Sequence, residues 1–163
     1  LCGSEYLAGL LHDCGKLVLE HYFPEDFDSI IIRATERACG HVLVEREFLG
    51  VSHAQIGAGV CECLQAHLEV IRAVWHHHDP FDTSLEGQPD NSKFLAACVS
   101  VADALTNYKQ LNIFGARIMD YEQPFDELPE WQFLAQYQMS YGLDLDLDLE
   151  LEKAKEDLKS FGM

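Results

Sequence analysis

The sequence predicts an all-α fold. Three observations carry that expectation. Apolar residues recur at helical spacing in segment after segment, and each segment is bounded by a capping residue or a breaker. No set of alternating segments supplies the strands of a sheet. The one stretch of period two, Leu143 to Leu151, runs into a helical stripe of Leu147, Leu151, Ala154, Leu158 and Phe161.

Taken in order, Ser4 is a cap for a first helix over about residues 5–22, with Leu7, Leu10, Leu11, Leu17 and Val18 following the helical period and Pro24 stopping it. A second helix spans about 25–39, with Phe27, Ile30, Ile31 and Ala34 on one side and Gly40 at its end. A short helix over about 42–49 is closed by Gly50. Ser52 caps the next, about 53–66, which carries Ala54, Gly57, Ala58 and Gly59. Glycines cost helix stability, so their presence predicts close packing against a neighbour. Residues 68–78 form a further helix with Ile71, Val74, Trp75 and His78 on one face. Asp79-Pro80 ends it, and residues 81–91 read as an exposed loop.

Ser92 caps a strong helix over about 93–111, with Leu95, Val99, Ala102, Leu105 and Thr106 inward. A looser stretch holding Gly115, Pro124 and Pro129 leads to a short helix at about 130–139. The last helix is expected from about Leu147. This divides the chain into a helical domain over 1–142 and a helical extension over 143–163. The Asp144, Asp146, Asp148 triplet resembles the start of a calcium loop. It lacks the glycine at the sixth position and has Lys155 where a bidentate Glu is needed, so it is not read as one.

The chain of 163 residues fits one domain with a proper core. It carries 28 Asp and Glu against 11 Lys and Arg, a formal charge of −17. Such a surface repels phosphate backbones, which argues against duplex nucleic acid and membrane surfaces as partners, although a metal site can attract a phosphate locally. No apolar run approaches a membrane span, and there is no signal-peptide pattern. The sequence opens on Leu1 already in a helical pattern, which predicts a piece of a longer chain. Six cysteines (Cys2, Cys14, Cys39, Cys61, Cys63, Cys98) are scattered without a Cys-x-x-Cys, so they read as reduced, mostly buried thiols of a cytoplasmic protein. Cys61-x-Cys63 with His67 reads as one helix face.

Metal-type donors recur in this apolar background at His12-Asp13, at His53, in the run His76-His77-His78, and at Asp103. Each alone has a structural explanation. His and Asp can satisfy one another, and a protonated His can cap a helix C-terminus. Together they suit a mono- or dinuclear nitrogen and oxygen site for Mn, Fe, Ni, Mg or Zn. Lys16 shares the helix face of the His-Asp pair and could meet a phosphate oxygen there. Consecutive histidines point in different directions on a helix, so at most two of the three can share a site. There is no Gly-x-Ser-x-Gly elbow, P-loop or dinucleotide fingerprint.

The run Leu10-Leu11-His12-Asp13-Cys14-Gly15-Lys16 resembles the LLHDIGK signature of the HD superfamily of metal-dependent phosphohydrolases. Glu45 through Gly57 resembles a segment of its HDOD branch, the HD-related output domains of bacterial signalling proteins. His77-His78-Asp79-Pro80 is similar to that branch's HH-x-P, and Val101-Ala102-Asp103 to the later helix with the superfamily's last Asp. The resemblance covers about residues 5–110 and implies an HD-superfamily-like helical bundle around divalent metal ions. It implies His12, Asp13 and Asp103 as metal ligands, with His53, His77 and His78 as the further ligands of the HD-GYP relatives. It also implies Lys16 as a phosphate-contacting catalytic residue beside Asp13. Two departures stand out. The superfamily's first metal-binding His lies on a helix upstream of the His-Asp pair, and no Gly-Tyr-Pro follows His78. The resemblance therefore implies a regulatory output module acting on other signalling domains or proteins. The alternative is an active phosphohydrolase or phosphodiesterase taking a phosphorylated small molecule or a cyclic dinucleotide. A lost upstream helix would also leave an apolar groove along the His12 face.

Overall fold

A break at His12-Asp13 sets the architecture. The computed structural model describes residues 3–87, 91–108 and 125–141, with positions 149, 152, 153 and 156 beyond them. Where the spacing predicts one helix to Tyr22, two are found: α1 (Ser4–Leu11) and α2 (Cys14–Tyr22). Asp13 sits between them at φ −101° and ψ 6°, and its carbonyl accepts from the Lys16 N–H at 2.9 Å to start α2. The break frees α1 to pack on α6 (Leu68–His76) and α7 (Ser92–Tyr108), while α2 packs on α3 (Pro24–Arg37) and α5 (His53–Cys63). The remaining helices are α4 (His41–Leu49) and α8 (Pro129–Tyr141). No strand occurs among the described residues, so the fold is an all-α bundle.

Local chemistry accounts for most of the boundaries and corrects some. Gly3 rather than Ser4 precedes α1, and the Ser4 hydroxyl donates to Glu69 on α6 instead of capping. Pro24 does more than stop α2: it occupies the first turn of α3, where its missing N–H costs nothing. The left-handed residue that ends α3 is Ala38, at φ 48°, while Gly40 is extended and leads into α4. Gly50, at φ 76°, closes α4. Ser52 opens α5, its backbone N–H donating to Gln55 Oε1 at 2.9 Å. The helices α5 and α6 both stop short of their expected ends, leaving His77 and His78 in the turn after α6. Among the described residues no helix is long and apolar enough to cross a membrane. The expected boundary at 143, the helix start at Leu147, the acidic triplet and the stretch at 109–124 lie outside the described residues.

The main core joins α1, α5, α6 and α7 through Ala8, Ala58, Cys61, Val70, Ala73, Val74, Leu95, Ala96 and Val99. A smaller cluster of Ile30, Ala34 and Val44 joins α3 to α4. Small side chains dominate the first cluster, so the buried faces are not the ones the large residues mark. Leu7, Leu10 and Leu17 are exposed, while Ala8 and Leu19 are buried. Trp75 also faces out, and Val70, Ala73 and Val74 take its expected place. On α7, Ala102 and Thr106 are exposed and Ala104 is buried, because this helix is packed from three sides by α1, α6 and α8. Cys61 is the one buried thiol among the described free cysteines, and Cys63 is exposed. Burial, with Cys61 next to it, pushes the Cys14 thiol up to about 11.

The contact that builds the site is glycine against backbone. A Cβ on Gly15 would lie 1.9 Å from the His53 carbonyl oxygen and 2.9 Å from the Gly57 nitrogen. One on Gly57 would meet Cys14 Sγ and Val74 Cγ1, each at 3.2 Å. The glycine of α2 thus lets α5 approach until the first residue of α5, His53, stands beside Asp13.

Candidate metal centre

Four donors converge where α2, α5 and the turn after α6 meet. One ligand atom each from Asp13, His53, His77 and His78 lies within 4.8 Å of all the others. His53 Nε2 is 3.2 Å from Asp13 Oδ1 and 3.0 Å from His78 Nε2. His77 Nε2 is 3.8 Å from the same Asp13 oxygen.

The far side of each ring decides what these atoms can do. His53 Nδ1 reaches both oxygens of the Glu45 carboxylate, at 2.8 and 2.7 Å, and the His53 backbone N–H donates to Glu45 Oε2 at 2.7 Å. Since a carboxylate only accepts, Nδ1 is the protonated nitrogen. His77 Nδ1 likewise donates to the Val74 carbonyl at 2.7 Å. In the neutral imidazoles Nε2 is therefore a lone pair, and both lone pairs face a carboxylate oxygen. His77 Nε2 and Asp13 Oδ1 are buried and have no hydrogen-bond partner among the described residues. Acceptors gathered this closely repel one another unless a proton or a cation sits among them. Three imidazole nitrogens and one carboxylate are a donor set for a first-row divalent ion, with Glu45 fixing the tautomer of His53 from behind.

The titration behaviour follows from the same arrangement. Burial, the neighbouring His53 and His12 hold His77 neutral, down to about 3, against its contact with Val74. His78 is also pulled well below the usual range, by desolvation and then by His77 and His53. His53 moves up: burial opposes its charge, but Asp13 and Glu45 on either side outweigh it. Asp13 and Glu45 move down although burial alone would raise both. Contact with His53 lowers each, and Lys16 adds its charge at Asp13. A divalent ion at this point would compete with a proton for the His53 nitrogen.

The other residues singled out by sequence lie around this group. His12 turns its Nδ1 to the Gly9 carbonyl at 2.7 Å and leaves Nε2 3.5 Å from Asp13 Oδ2. Its ring stands edge-on to His77, the centroids 5.1 Å apart. Lys16 Nζ donates to Asp13 Oδ2 at 2.6 Å. Asp103, half-buried on α7, has its carboxyl pushed up by burial and then by the charge of Asp13. Neither His12 nor Asp103 belongs to the close group of four. His76 faces away toward Ser84 Oγ at 3.4 Å, so two of the three consecutive histidines share the site. The residue that sequence reasoning missed as a functional group is Glu45, which is fully buried. Its signal was an acidic residue directly after Val44 in a short helix just ahead of a helix-opening histidine. Cys61 lies in the core, and neither Cys63 nor His67 joins the group.

An all-helical bundle with a His/Asp cluster at its helix junctions is the arrangement that the resemblance to HD domains implies. Residues 3–80 match the family model of the HDOD domain. A relative from Treponema pallidum (strain Nichols), described as an uncharacterized protein, is 26% identical over 129 residues. That similarity covers 79% of this chain and 22% of the relative. No solved structure matches the chain.

Proposed function

We propose that this chain is a regulatory output module of a bacterial, cytoplasmic signal-transduction protein. In this reading it holds a divalent metal ion at Asp13, His53, His77 and His78. It acts through contacts with other signalling domains or proteins rather than by turnover. The HDOD match supports the module, as does the sequence Asp79-Pro80-Phe81-Asp82 where phosphodiesterase relatives carry Gly-Tyr-Pro. The observation that carries the metal is the pair of buried, unpartnered acceptors, His77 Nε2 and Asp13 Oδ1, facing each other across 3.8 Å. The nitrogen-rich donor set favours Mn, Fe, Ni or Zn over Mg.

One observation favours a second reading, an active metal-dependent phosphohydrolase or phosphodiesterase. Lys16 Nζ stands 2.6 Å from Asp13 Oδ2, at the edge of the same group. A bound divalent ion supplies Lewis acidity, polarising a phosphoryl oxygen and acidifying water. Lys16 would stabilise negative charge on a phosphorylated small molecule or cyclic dinucleotide. Asp13 would hold both the ion and the lysine, with His12 and Asp103 close by.

Metal analysis of the purified protein, coupled to hydrolysis of bis-p-nitrophenyl phosphate with added Mn²⁺, separates the readings. The expected result is stoichiometric metal that is lost in Asp13→Ala, with no Asp13-dependent hydrolysis. Metal-free protein that takes up none on Mn²⁺ addition overturns the metal assignment. Hydrolysis that Asp13→Ala abolishes replaces the module with the enzyme.

A further inference from the structure

Two thiols meet across the helix contact that builds the metal centre. Cys14 Sγ, on the first residue of α2, lies 3.7 Å from the Gly57 carbonyl oxygen and 3.2 Å from where a Cβ on Gly57 would stand. It rests on the face of α5 that Gly57 leaves bare. Cys61 follows Gly57 by one helical turn, so its side chain shares that face. Helical side chains lean toward the amino end of their helix, which here is toward Cys14. The two thiols interact directly. Cys61 is fully buried and Cys14 is partly exposed, so an oxidant from solvent reaches Cys14 first. Neither sulfur belongs to the group of metal donors. Cys14 stands where the LLHDIGK signature has isoleucine, so the thiol is a feature of this chain.

The same face runs to the metal centre. Cys14 is bonded to Asp13, whose Oδ1 is 3.2 Å from His53 Nε2 at the amino end of α5. Cys61 lies about 12 Å further along that helix from His53. Bringing two sulfurs from van der Waals contact to a bond of about 2 Å draws their residues together. The backbones have no room to close further, since Gly15 is already against the His53 carbonyl and the Gly57 nitrogen. The movement left is a slide of Cys14 toward Cys61, which carries Asp13 away from His53.

We propose that Cys14 and Cys61 are a redox pair, which a hydroperoxide converts to a disulfide that draws Asp13 off the metal centre and weakens its hold on the ion. The sulfur of Cys14, as thiolate, attacks one peroxide oxygen. The O–O bond breaks, and Cys14 becomes a sulfenic acid as the leaving hydroxide is protonated to water. The Cys61 sulfur then attacks the Cys14 sulfur, the S–O bond breaks, and the second hydroxide leaves as water with the Cys61 proton. Two electrons pass from the thiols to one hydrogen peroxide, giving one disulfide and two waters. Burial holds both thiols protonated, so the pair reacts slowly, and its sulfurs are poor leaving groups, so the bond persists once made. The effect on the ion rests on the metal-bound reading above, whereas the disulfide does not.

The test uses the full chain, treated with hydrogen peroxide and freed of it before Mn²⁺ titration by calorimetry, with disulfides located by peptide mass mapping. A Cys14–Cys61 link is expected, with Mn²⁺ affinity lowered about tenfold or more and restored by dithiothreitol. Cys61→Ser should form no such link and keep its Mn²⁺ affinity through peroxide. Should it not fold, Cys61→Ala serves in its place. Cys63→Ser, which removes the exposed thiol of the same helix, should behave as wild type. Absence of the link, or loss of affinity in Cys61→Ser as well, overturns the proposal. A link with Mn²⁺ affinity unchanged overturns the pull on Asp13. Reduced wild type that takes up no Mn²⁺ overturns the metal reading and the coupling with it, and the linkage map then decides the redox pair by itself.

Discussion

The same two helices carry a polar junction at one end and an apolar core at the other, and the two ends are held by different physics. In the core, α5 and α6 meet through Ala58, Cys61, Val70, Ala73 and Val74, side chains with no polar demand beyond a thiol. Their burial is favourable by area alone, and a small error in position costs little. At the junction, His53, Glu45 and His77 are as withdrawn from water as the core while Asp13 is partly exposed, and each is tied to a specific polar atom. Buried charges and imidazoles are tolerated only when their partners are in place, so this end is specified atom by atom. The core gives the bundle its stability. The junction converts that stability into the fixed positions of a few lone pairs.

The contrast can be broken at the one contact both ends share. Gly15→Ala places a methyl 1.9 Å from the His53 carbonyl and must push α2 away from α5. We expect a loss of about 3 kcal/mol or more in urea unfolding, at the upper end of overpacking costs, together with loss of metal binding. Retention of both would mean that the helices are not held at this spacing.

Leu95→Ala isolates the core end. Leu95 is fully buried on α7 within the same cluster. Its truncation is expected to cost about 2–5 kcal/mol while metal stoichiometry at low temperature stays at the wild-type value. A parallel loss of metal would show that core and junction are one cooperative unit.

Glu45→Gln isolates the junction end and should have the smallest effect on folding. The amide can still accept from His53 Nδ1 but no longer carries the negative charge that makes the ring a strong donor to metal. A second-sphere change of this kind is expected to weaken metal affinity about 10- to 100-fold. Stability of the metal-free protein should change by less than in Leu95→Ala. An unchanged affinity would reduce Glu45 to a structural partner of His53.

What could be read from residues alone is local. The helices follow from hydrogen-bond ladders and apolar spacing within a few residues, and so do the ends at Pro24, Gly50 and Ser52, each of which answers to a backbone group beside it. The donor types, imidazole and carboxylate set in an apolar background, were equally legible, and so were the motifs shared with the HDOD family. The tertiary structure alone decided what faces what. Small residues took the core, so the large apolar side chains Leu10, Leu17 and Trp75 were left outside. The helix broke at His12-Asp13, because α1 and α2 pack on different partners. Which histidines meet Asp13, and that Glu45 stands behind one of them, depended on Gly15 admitting the backbone of α5. That contact joins residues 38 positions or more apart, from Gly15 to His53 and beyond. No local pattern encodes such a distance: convergence is a property of packing, and packing is settled only when every helix is in place.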